Sequence, residues 1–66
     1  MLSYKPFWDF LDNNGIDVLD LCHDACISPG TLEKLNENKS VELSDIDRIC
    51  EQLCCRIEDV VEVVDF

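Results

Sequence analysis

Residues 17–36 read DVLDLCHDACISPGTLEKLN, and their reading decides the fold. The apolar side chains fall at Leu21, Ala25, Ile27, Leu32 and Leu35, a rhythm that suits two short helices crossing at a tight corner and sharing one buried face. Asp17 is placed to cap the first helix, because its carboxylate can accept from unpaired first-turn N–H groups. Asp20 adds negative charge where the helix dipole favours it. Ser28 caps the second helix, and Pro29 follows at the first helical position, where a missing N–H costs nothing. Between them Cys26-Ile27 leaves room only for a sharp turn. The pattern is a helix-turn-helix spanning about residues 17–37.

Outward from this core, Pro6 can open a helix on which Phe7, Phe10 and Leu11 recur, ended by Asn13-Asn14-Gly15. Met1 to Lys5 reads as a lead-in, and Trp8 as a ring lying over the domain's own core. Beyond the polar loop Asn38-Lys39-Ser40, Leu43, Ile46, Ile49, Cys50 and Leu53 mark one face of a fourth helix, starting at Glu42 or Ser44. Ile57 to Val64 is expected to form a fifth short helix. The rival reading makes Val60 to Phe66 a terminal strand, most simply paired with a second subunit.

These residues resemble the Cro/repressor-type (XRE) helix-turn-helix family over nearly the whole chain. Leu21, Cys22, Ala25, Ile27-Ser28 and Thr31-Leu32 fall where such domains place their two helices and turn. Tyr4-Lys5-Pro6-Phe7-Trp8, Ile49 to Leu53, Cys55 and Asp59-Val60 are similar to the opening and closing segments of a compact bacterial and phage subgroup. The resemblance implies an all-α, five-helix Cro/lambda-repressor-like domain over 1–66 that binds duplex DNA. The second motif helix would enter the major groove. Carried over by position, the DNA contacts would be Ser28, Pro29, Gly30, Thr31, Lys34 and Asn36, with Lys39 reaching for phosphate. A dimer is the expected unit, through the apolar tail Val60 to Phe66.

Charge runs against this reading. Fifteen acidic residues face five basic ones, a net −10, and such a field repels the phosphates whose neutralisation supplies most non-specific DNA affinity. The imbalance is uneven: residues 1–26 sum to −4 (one Lys, five Asp), residues 41–66 to −6 (two Arg, eight carboxylates) and residues 27–40 to zero. Val18 and Leu19 stand where the family often has polar, phosphate-facing residues. They define the alternative: an acidic helix-turn-helix scaffold that binds a protein, either a repressor or another basic factor, with Val18 and Leu19 as apolar anchors.

Other chemistry is sparse. Sixty-six residues leave no room for a separate catalytic domain, and His23 has no partner for a catalytic dyad, so no enzyme is expected. Cys22/Cys26 and Cys50/Cys54 repeat one spacing, with Cys55 beside them. Four thiolates from two helices could hold zinc, but the resemblance implies that Cys22, Cys50 and Cys55 fall where the family places core residues, so neither metal nor cofactor is expected. An odd number of cysteines and the absence of a membrane-length apolar run or signal segment point to a reducing, cytoplasmic setting.

Overall fold

Asp17 does cap the first motif helix: its Oδ1 accepts the Leu19 N–H at 2.8 Å. Ser28 Oγ accepts the Thr31 N–H at 3.3 Å at the start of the second. In the computed structural model, which describes residues 1–65, these helices are α2 (Val18–Asp24) and α3 (Pro29–Asn36). They are flanked by α1 (Lys5–Asn13), with Pro6 in its first turn, and α4 (Leu43–Leu53), which Glu42 precedes as N-cap residue.

All four helices stop in the same way. A residue with positive φ follows each helix: Gly15 (62°), Cys26 (58°), Asn38 (56°) and Cys54 (54°). The next N–H then reaches back to a carbonyl five residues earlier, Ile16 to Leu11 (2.9 Å), Ile27 to Cys22 (2.8 Å), Lys39 to Lys34 (2.9 Å) and Cys55 to Cys50 (3.1 Å). This is the Schellman ending, which satisfies helix-end carbonyls and brings the returning residue against the last turn. The repeated cysteine spacing falls on two of these endings. Cys22 and Cys50 contribute the accepting carbonyl, and Cys26 and Cys54 take the left-handed position.

The core joins Tyr4, Phe7, Leu11, Leu21, Ala25, Ile27, Leu35, Ile46, Ile49 and Val60. Trp8 packs against it as expected, its ring edge-on to Phe7 with centroids 5.0 Å apart. The lead-in is more than a lead-in. Tyr4 is sealed in the core, its N–H donates to Asn38 Oδ1 (3.0 Å) and its hydroxyl to the Lys39 carbonyl (2.7 Å). The amino-terminal segment is thus tied to the loop that follows α3.

Four expectations change. The fifth helix is absent among the described residues: Ile57–Asp59 makes one 3-10 turn, followed by a strand, β2 (Glu62–Val63). That strand pairs antiparallel with β1 (Leu2–Ser3), Leu2 opposite Val63 and Ser3 opposite Glu62, so its partner lies in the same chain rather than in a second subunit. The cause is local and distant at once. Asp59 Oδ2 accepts the Arg56 N–H at 3.2 Å and closes the turn, and the β-branched run after it finds an edge to join. Val60, expected at a dimer contact, is fully buried in the molecule's own core; Phe66 lies outside the described residues. Finally, Leu43, at the first position of α4, is not on its buried face but 76% exposed, and burial on this helix begins at Ile46. No helix among the described residues is long and apolar enough to cross a membrane.

Candidate nucleic-acid interface

The exposed side of α3 begins at its cap. Ser28, Pro29, Gly30, Lys34 and Asn36 are all exposed, and Lys39 lies exposed just beyond. Gly30 has ordinary helical φ, and a Cβ there would meet only Ser28 Oγ, at 3.9 Å. The bare backbone at this point of the helix is therefore not required by packing. It leaves a gap in the row of possible donors.

Thr31 is placed differently from its expected role. It is buried, and its hydroxyl lies 3.1 Å from Ser28 Oγ and donates to Asp45 Oδ2 at 3.2 Å. A hydroxyl engaged in this way ties the helix down. The same Asp45 carboxylate accepts from Arg48 Nη1 at 3.0 Å through its other oxygen. One carboxylate therefore links the first turn of α3 to a guanidinium on α4, and half of that Arg48 side chain is exposed.

Sequence reasoning missed Arg48. Its signal was the Asp45-x-x-Arg48 spacing, which pairs side chains on a helix surface. Nothing local, however, said that Thr31, fourteen residues before Asp45, would share the carboxylate. Lys39 is half of an exposed ion pair, 2.8 Å from Glu37 Oε2, and that hydrogen bond holds its ammonium above the ordinary lysine pKa. It stays protonated throughout the working range.

The apolar pair on α2 divides. Val18 is half-buried against the core, whereas Leu19, a turn of about 100° away, is 66% exposed. The thiols divide too. Burial pushes Cys22, Cys50 and Cys55 above the usual thiol pKa, Cys55 to about 11 with added pressure from neighbouring Cys50. Cys26 and Cys54 are exposed. Among the described residues, no three metal-ligating side chains converge. His23 points into solvent, its Nδ1 3.6 Å from Asp24.

Comparison with known proteins decides what this arrangement is. The family model of the Cro/C1-type helix-turn-helix DNA-binding domain matches residues 7–65. The chain belongs to the Cro/C1-type helix-turn-helix family. This is a family of DNA-binding regulators, not of enzymes. The crystal structure of the transcriptional regulator VanUg (Form II) is similar at 30% identity with a TM-score of 0.91, over 96% of this chain and 84% of that one. Comparison with curated proteins gives no match. In this Cro/C1-type domain, α2 and α3 are the two motif helices, and Cys26 occupies the turn.

Proposed function

We propose that this Cro/C1-type domain is a transcriptional regulator that lays the exposed side of α3 in the major groove of duplex DNA. The observation that carries the proposal is the fixed, exposed α3. Its cap Ser28 and its first turn are tied through Thr31 to Asp45 on α4, leaving Ser28, Pro29, Gly30, Lys34 and Asn36 outward. Lys34 is the residue for a guanine edge or nearby phosphate and Asn36 offers an amide, while the Ser28 hydroxyl is engaged as the helix cap. Arg48 and Lys39 supply charge on either side, Lys39 toward phosphate as its position after the helix suggests.

The contact set is small. One copy on one half-site binds weakly, and a pair of copies on adjacent half-sites multiplies the affinity. Pairing through residues 60–66 has lost Val60 to the core. A second reading, a scaffold for a basic protein, is favoured by exposed Leu19 and the net charge of −10.

The test is fluorescence anisotropy with two labelled duplexes, one from the protein's own upstream region and one scrambled, from low to physiological salt. Binding should depend on sequence and weaken with salt. Lys34→Ala should lose about 1–3 kcal/mol on the preferred duplex, and Arg48→Gln should lower the salt slope by about one on both duplexes. A folded protein that binds neither duplex at low salt overturns the DNA reading.

A further inference from the structure

Far from the motif turn, Leu2, Val41, Leu43, Ile46, Ile57 and Val61 line an apolar groove of about 140 Å³, enough for a side chain of leucine size. Leu43 and Ile57 on its rim are 76% and 48% exposed, unusual for large aliphatic side chains with a core beside them. β2 extends the same apolar surface. Val63 stands opposite Leu2, so these two side chains share one face of the two-stranded sheet, and Leu2 lines the groove together with Val61.

Charge selects what can sit there. Glu42 stands between Val41 and Leu43 and Glu58 follows Ile57, both exposed, whereas Glu62, opposite Ser3, lies on the other face of the sheet. Residues 41–66 hold eight carboxylates against Arg48 and Arg56. Both arginines are already paired within the chain, Arg48 to Asp45 (3.0 Å) and Arg56 to Glu58 (3.7 Å). A second copy would bring the same acidic surface against this one, and a nucleic acid would bring phosphates. Both are repelled.

We infer that this groove is a docking site for a cationic amphipathic segment of another protein, an aliphatic side chain entering between Leu43 and Ile57 and lysines or arginines meeting Glu42 and Glu58. The inference does not rest on the DNA reading. On α4, Leu43 and Asp45 are two residues apart, about 200° around the helix, so the groove and the Asp45 link to α3 occupy opposite sides. Groove and α3 can be occupied together.

The test uses the full chain and a fluorescein-labelled peptide of lysine and leucine at helical spacing, with a glutamate-leucine peptide of the same pattern as control. Anisotropy at physiological salt should show binding of the lysine peptide alone. Leu43→Asp and Ile57→Asp should each weaken it at least tenfold while Leu19→Asp leaves it unchanged. Both rim residues are exposed, so these variants should keep the parent's helical circular dichroism; Leu43→Ser, which removes the aliphatic group without adding charge, should weaken binding in the same direction. Undiminished binding by Leu43→Asp and Leu43→Ser, or equal binding of the glutamate peptide, overturns the assignment. So does sedimentation showing a dimer of the parent that Leu43→Asp dissolves, since the occupant would then be a second copy.

Discussion

Cys26, Asn38 and Cys54 each hold a side chain at a left-handed backbone position, where a Cβ crowds the following carbonyl at about 1–2 kcal/mol. Glycine escapes that strain but loses about 0.5–1 kcal/mol to its greater freedom when unfolded. The difference gives a direction. Cys54→Gly, at an exposed site whose thiol makes only a long 3.8 Å contact to the Glu51 carbonyl, should stabilise the protein by about 0.5–1 kcal/mol. The melting temperature should rise by several degrees in a thermal circular-dichroism scan. Gly15→Ala should do the reverse, even though nothing lies within 4 Å of the added Cβ, because φ there is 62°. A fall in melting temperature for Cys54→Gly would mean that the cysteine contributes something the backbone geometry does not contain. At this scale the caps were legible in the sequence, since Asp17 and Ser28 carry their capping chemistry in their own side chains. The sharp turn at Cys26-Ile27 was legible by position, but not the left-handed φ of 58° that Cys26 adopts. Cys54 was not, because cysteine has no turn preference to read, and Arg48 gained its place only through Thr31 and Asp45.

The helices themselves were legible because each repeats its apolar residues at helical spacing. What misled was the end of the chain. Val60, Val61 and Val64 suit a helix face and a strand about equally, and the choice was made by Leu2 and Ser3 at the other end of the sequence. Leu43 fitted the stripe of α4 but lies outside the core it was expected to join, since periodicity fixes a direction and not a depth. The ends of α2 and α4 also set a response to pH. Cys22, Cys50 and Cys55 hold their protons more tightly in the folded protein than an ordinary thiol, whose pKa is 9.0, and Cys55 keeps its proton to about 11. Unfolded chains therefore lose these protons first. Stability should be complete below about pH 9 and decline as the pH rises toward 11. Urea unfolding under reducing conditions across that interval should show the decline, and Cys55→Ala should make it shallower. A flat profile in the parent would show that the thiols are as free as in the unfolded chain.

For the molecule as a whole, charge and shape divide the surface. The balanced stretch 27–40 carries α3, and the acidic excess lies before and after it in the chain. A net charge of −10 works against non-specific affinity for DNA, so site-specific contacts should supply a large share of any binding. The sheet brings the distant ends of the sequence together. Val64 N–H donates to the Met1 carbonyl at 2.8 Å, and the Met1 ammonium to the Val64 carbonyl at 2.9 Å. Closing a loop of about sixty residues costs roughly 4 kcal/mol of chain entropy, set against a strand pair only two residues long on each side. The four helices can assemble from contacts nearer in sequence, so this clasp should shut last and open first. In hydrogen exchange the Val64 amide should exchange well before that of Ile49 in the middle of α4; equal protection would mean that the protein opens only as one unit. If the clasp does open alone, Leu2 and Val61 part while the helices hold, and the groove between them exists only for as long as the two ends of the chain stay joined.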